Sequence, residues 1–207
     1  MSYLEPPRRL PFAYRILLSL VEKRMGRTLL ANRILAWYPR TAFGAGIMEA
    51  LVAHDEPEVP RRLLALLRIR TSFLVSCPFC IDMNSRELAE KGISEEEIRG
   101  LQGKVPLEGI TTIAAKELAA LRYAACISST PLSFPSDIIE GMKRHFSERG
   151  MVIVAGTCAQ VNFWARLVQS LGVPPAGFSA DCSILDLDAH STLKPAGAPR
   201  AGRPRGA

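Results

Sequence analysis

Ser76-Cys77-Pro78-Phe79-Cys80-Ile81-Asp82-Met83-Asn84-Ser85 places two cysteines three apart, directly behind a long apolar run. That run, Arg61 to Val75, holds Leu63, Leu64, Leu66, Leu67, Phe73, Leu74 and Val75. Pro60 opens it, and its apolar residues fall on nearly every side of a helix. Such a helix is central, or is sandwiched at a subunit interface. Arg68 and Arg70 interrupt it and are expected to snorkel to the surface or to pair with acids. Ser76 suits a helix N-cap and Pro78 suits a first turn. The cysteines are therefore expected at the start of a fifth helix ending at Lys91-Gly92, where glycine gives a stop.

Working outward, helical spacing recurs along the chain. Phe12 to Met25 repeats Phe12, Ile16, Leu20 and Val21 and ends at Gly26. Leu29 to Trp37 and Arg40 to about His54 follow. Beyond the cysteines, Ser94-Glu95-Glu96-Glu97 reads as a capping box for a short helix to about Gly100. Thr111 or Thr112 is expected to cap a helix running through Cys126. Ser136 to Phe146 and Met151 to Leu171 complete the set, with Gly150 ahead of the last helix. No stretch alternates with period two. The expectation is an all-α bundle of eight or nine helices. Residues 1–11 form an extended arm, 12–186 a single domain, and 187–207 a disordered basic tail.

Composition narrows the function classes. The chain has 207 residues, 48% hydrophobic and 22% charged, which is globular. The tail from Ala189 carries +4 of the net charge of +6 and leaves only +2 on the body. That gives no basic face for nucleic acid. The longest uninterrupted apolar runs are too short to span a bilayer, and the N-terminus lacks a signal-peptide pattern, so a cytoplasmic location without a membrane span is expected. There is no GxGxxG, P-loop or HExxH pattern. Neither a cofactor nor a metal is expected.

Cys77 and Cys80 lie on one helical face, one turn apart, so a disulfide closes with little backbone change. The positive end of the helix favours thiolate over thiol. The pair thus reads as a redox dithiol, in which one thiolate attacks and the other resolves the product into a disulfide. Other readings stand beside it. Two buried structural cysteines would look the same. Half of a zinc site would need paired ligands elsewhere, and His54, His145 and His190 are scattered. A thioredoxin context would need a βαβ pattern, which is absent. Cys126 and Cys158 read as small buried hydrophobes, and Cys182 as a loop residue.

The apolar helix running into Ser76–Ser85, followed by Arg86-Glu87-Leu88-Ala89-Glu90-Lys91-Gly92-Ile93-Ser94-Glu95-Glu96-Glu97-Ile98, resembles the carboxymuconolactone decarboxylase and alkylhydroperoxidase D-like superfamily. Val161-Asn162-Phe163-Trp164-Ala165-Arg166 is similar to the Asn-x-x-x-Arg ending of its peroxidase-related branches. The resemblance covers roughly residues 12 to 175. It implies an all-α fold and a homo-oligomer (dimer, trimer or hexamer) with the cysteines near a subunit interface. It implies a thiol-dependent peroxidase or disulfide oxidoreductase, taking a small peroxide or disulfide and an external thiol electron donor. By this resemblance Cys80 attacks and Cys77 resolves.

The peroxidase members surround their cysteines with proton-handling groups, and this chain departs from that pattern. Asn84 stands where they carry a histidine, Ala65 where they carry a glutamate, and Phe79 where some carry a second histidine. Asn84 hydrogen-bonds but takes no proton at neutral pH. Asp82 and Glu49 are the candidate substitutes, each also readable as an ordinary solvated or ion-paired acid. Asn162 and Arg166 read as a structural clasp or as pocket lining. Two rivals follow from the missing relay. One is a non-catalytic helical oligomer that binds ligands or scaffolds. The other is a decarboxylase-like lyase, disfavoured because no histidine occupies the motif.

Overall fold

The helix on which the others pack is α4 (Arg61–Leu74), as its all-round apolar sequence requires. The computed structural model describes residues 2–86 and 88–181. The expected basic tail and Cys182 lie outside them. The helices preceding α4 are α1 (Phe12–Met25), α2 (Leu30–Leu35) and α3 (Pro39–Leu51). Those following it are α5 (Pro78–Ser85), α6 (Glu95–Leu101), α7 (Ala115–Ser128), α8 (Ser136–His145) and α9 (Glu148–Ser170). Short 3₁₀ turns occupy Leu107–Gly109 and Phe178–Asp181. The described residues contain nine α-helices and no strand, so the fold is all-α.

Two layers of core meet on α4. Leu66, Ile69 and Phe73 pack with Ile81, Leu88, Ile98, Leu101 and Leu121 on one side. Leu63, Leu64 and Leu67 pack with Ala120, Met142, Val154 and Cys158 on the other. Arg68 and Arg70 of α4 end on backbone carbonyls: Arg68 donates to Ala53 O and Arg70 to Leu101 O, each at 2.6 Å. α9 is long and apolar enough to cross a membrane by length and composition alone. Here it directs Val154, Cys158, Val161, Ala165 and Val168 into the protein interior.

A charged knot ties α4 to α6 and α7. The Arg62 guanidinium donates to Glu97 at 2.5 Å, to Glu117 at 3.0 Å and to the Gly92 carbonyl at 2.6 Å. Burial alone would push the Glu97 carboxyl upward. Hydrogen bonds from Arg62, the Ser94 N–H and Thr112 outweigh it and hold the group below the usual carboxylate range. The capping box read from the sequence is present, with Ser94 accepting from the Glu97 N–H and Glu97 accepting from the Ser94 N–H.

Three boundaries differ from the sequence reading. α5 stops at Ser85, not Lys91, and the turns at 88–92 place Leu88 and Ile93 in the core beside α4. α7 starts at Ala115 without a threonine cap; instead, the Glu117 carboxylate accepts the Ala114 N–H at 3.0 Å. α9 starts before Gly150, capped by Ser147. Gly150 is not a breaker here. A Cβ at that position would come 2.5 Å from the Glu58 carboxylate, which itself binds the Ser147 N–H and hydroxyl.

Replacing Arg62 with Ala strands the buried Glu97 carboxylate. Arg62 is partly exposed, so the expected loss is about 3 kcal/mol, the lower end for a broken buried pair. Urea denaturation checks it. The depressed Glu97 pKa stabilises the fold above the unfolded-state value, and this stability is lost as pH falls through the lower folded value. R62A should therefore also flatten the acid limb of the stability profile.

Candidate active site

The handover from α4 to α5 is built from backbone. α4 ends in a Schellman motif, with the Ser76 N–H donating to Phe73 O at 3.0 Å and the Cys77 N–H to Ser72 O at 3.1 Å. The motif needs a left-handed residue, and Ser76 supplies it at φ 48 rather than the usual glycine. Ser76 is therefore not the cap of α5, as the sequence suggested. Cys77 is, and its sulfur accepts the Cys80 N–H at 3.2 Å. Pro78 occupies the first turn, where no N–H is required.

The structure joins Cys77 to Cys80 as a disulfide, with a Cα separation of 5.2 Å. Both are buried, at 0% and 3% exposure. Ala31 and Ile34 of α2, Val161, Ala165 and Val168 of α9, and Val173 beyond α9 enclose them, with Phe79 and Trp164 at the margin. Cavities of about 530 and 280 Å³ open elsewhere, the larger between the N-terminal arm and α1. The cysteine pair is thus buried in an apolar chamber of packed side chains.

The candidate proton carriers are directed away from it. Ala65 is core packing on α4. Asn84 donates to the Ser72 hydroxyl at 3.0 Å, tying α5 back to α4. Asp82 is fully buried, and its oxygens accept from Ala176, Gly177 and Ser179. Glu49 accepts from Gln160 at 2.7 Å and from the Trp164 indole at 3.1 Å, outside the chamber wall. Asn162 bonds to the Cys158 carbonyl and to Ser128, while Arg166 is exposed, so the two make no clasp. Among the described residues no carboxylate or imidazole hydrogen-bonds to either sulfur, and no cluster of three or more His, Cys, Asp or Glu could hold a metal.

Sequence reading missed the wall residues Trp164 and Val173 and the donors at 176–179. The signal for the last group was an aromatic, Phe178, directly after Pro174-Pro175-Ala176-Gly177. Cys158 is the buried hydrophobe expected: desolvation pushes its thiol up to about 12.

A sequence model of the carboxymuconolactone decarboxylase family matches residues 41–125, from α3 through most of α7 and including both cysteines. An uncharacterized protein YdfG of Bacillus subtilis (strain 168) is 25% identical over 118 residues, 56% of this chain and 78% of its own. Among solved structures, the debrominase Bmp8 in complex with 2,3,4-tribromopyrrole aligns with a TM-score of 0.73 at 15% identity, covering 89% of this chain and 98% of that one. A peroxidase-related protein from Ralstonia eutropha JMP134 with an alkylhydroperoxidase AhpD core aligns at 0.70 and 16% identity, covering 84% and 92%. Residues 41–125 thus match the carboxymuconolactone decarboxylase family, and the fold is similar to that of alkylhydroperoxidase D-like structures.

The left-handed serine makes a stability prediction. A non-glycine residue there costs on the order of 1 kcal/mol, part of which glycine returns as unfolded-state entropy. Ser76→Gly should raise stability by up to about 1 kcal/mol, read from the urea midpoint at unchanged slope.

Proposed function

We propose that Cys77 and Cys80 form a reversible dithiol–disulfide centre that reduces a small electrophile, in the first place a hydroperoxide. The observation that carries this reading is the closed pair at the α5 N-terminus, with a backbone N–H on the Cys77 sulfur. In the reduced state that N–H and the helix end favour a thiolate at Cys77. This argues for Cys77 as the attacking residue, the reverse of the order implied by the family resemblance.

The thiolate attacks the O–O bond, gives Cys77 sulfenic acid, and releases an alcohol after protonation. The Cys80 thiol then condenses with the sulfenic acid, forming the disulfide and water. An external thiol donor returns two electrons and two protons. With no acid or base on the sulfurs, the leaving oxygen takes its proton from solvent. The absent relay forgoes roughly 10²–10⁴-fold of rate, so a slow enzyme is expected. The shared fold makes the brominated pyrrole seen with Bmp8 a second electrophile to test. Its reduction would release bromide and a proton and leave the same disulfide.

Mass spectrometry after limiting hydroperoxide checks the proposal. Cys77 and Cys80 should be lost as thiols together, and Cys80→Ser should trap a sulfenic acid on Cys77. A folded protein whose two thiols survive the peroxide excludes the reading and favours the non-catalytic module.

The working form is further proposed to be a homo-oligomer of cytoplasmic location. α1 buries only Leu18 and exposes Phe12, Ile16, Leu17, Leu20 and Val21, while α3 exposes Phe43, Ile47 and Leu51. An apolar face of this extent suits a second copy of the same chain. The double variant Leu20→Glu/Phe43→Glu should sediment as a monomer where the parent does not. An unchanged mass contradicts this interface.

A further inference from the structure

The cysteines are buried, so an electrophile reaches them only if part of the wall moves. α5 and α9 pack directly on α4 and lift only if the core opens, whereas α2 contributes Ala31 and Ile34 to the wall from the N-terminal layer. Another wall piece is the segment that follows α9. Val173, 7% exposed, packs in the cluster that holds both cysteines. Pro174 and Pro175 are exposed, and the chain then doubles onto α5.

There one side chain accepts four hydrogen bonds from it. One oxygen of Asp82 accepts the Ala176 N–H at 2.8 Å and the Gly177 N–H at 2.9 Å. The other accepts the Ser179 N–H and the Ser179 hydroxyl, each at 2.7 Å. All four donors come from this segment. Gly177 turns at φ 86, and a Cβ there would come 3.1 Å from the Arg27 guanidinium. The Phe178 ring receives Arg27 and Arg86 at 5.7 and 5.5 Å. Asp82 itself lies two residues beyond Cys80 on the same helix.

We propose that residues 172–179 are a strap that closes the cysteine chamber, latched by Asp82 to the helix that carries the cysteines. Asp82 is thus a positioning residue and not the substitute proton carrier. A carboxylate is suited to the latch: it satisfies four donors when closed, and water solvates it when open. Release lifts Val173 from the chamber while α4 and α9 stay packed, a local opening rather than unfolding. The strap matters to function only if the pair is the working centre proposed above, but its opening is measurable without any turnover.

The test is the rate of maleimide modification of the reduced, full-length protein, resolved by cysteine with peptide mass mapping. Cys158, buried in a separate cluster with Leu63, Leu64 and Leu67, reports global unfolding. Asp82→Asn should speed modification of Cys77 or Cys80 at least about tenfold, the equivalent of one lost charged hydrogen bond. Cys158 should remain unmodified on that timescale. Ser179→Ala and Phe178→Ala, which alter only the strap, should each accelerate it by a smaller factor, and they carry the test if D82N does not fold. Unchanged rates in the folded variants overturn the strap. So does labelling of Cys158 in step with the pair, which would make Asp82 a support of the whole fold. Fast labelling in D82N without any peroxide consumption sinks the proposed activity and leaves the strap standing.

Discussion

Everything at this site depends on one backbone hydrogen bond, from the Cys77 N–H to the Ser72 carbonyl. It ends α4 and fixes the residue that caps α5. α4 is immobilised by apolar contacts on both sides and by the Arg62 knot, so the bond transmits that rigidity to the cysteines. Because Cys77 is the capping residue, its sulfur rather than a hydroxyl receives the first-turn N–H of Cys80. Stability and chemistry meet at a position where the backbone leaves little choice, and the left-handed Ser76 is the cost of the sharp turn.

The enclosure of that pair has a consequence for its chemistry. A thiolate in an apolar chamber is destabilised by desolvation and stabilised by the helix end, and the two act in opposition. Cys158 shows the first effect unopposed by any helix end. Cys77 has the compensating N–H. The same protein therefore holds one cysteine whose thiol is pushed up by burial and one whose sulfur receives a backbone N–H, separated by local backbone geometry and not by sequence neighbours. Asn84 and Asp82, the polar residues nearest in sequence, act on architecture: one ties α5 to α4, the other ties residues 176–179 to α5.

The fold was legible because helical periodicity and stop residues are local signals. α4 in particular could be read as central from its composition alone, and the Ser94 capping box from four letters. Gly150 misled because a glycine that permits close approach of Glu58 looks the same as one that ends a helix. Ser76 misled because a serine before a helix is normally its cap, while here the preceding helix claims it. At the site, the cysteines were legible and their wall was not. The donors at 176–179 lie 94 to 97 residues beyond the Asp82 that holds them. A contact of that range leaves no periodic trace in a single sequence.

The most direct measurement is a redox equilibrium. The full-length protein is incubated across a series of reduced and oxidised dithiothreitol ratios, quenched with acid, and its free thiols are mapped by mass. The account predicts one reversible two-electron transition confined to Cys77 and Cys80, with Cys126 and Cys158 thiols throughout. Thiols at Cys77 and Cys80 that persist at every ratio, or a disulfide that forms to another cysteine instead, would contradict it.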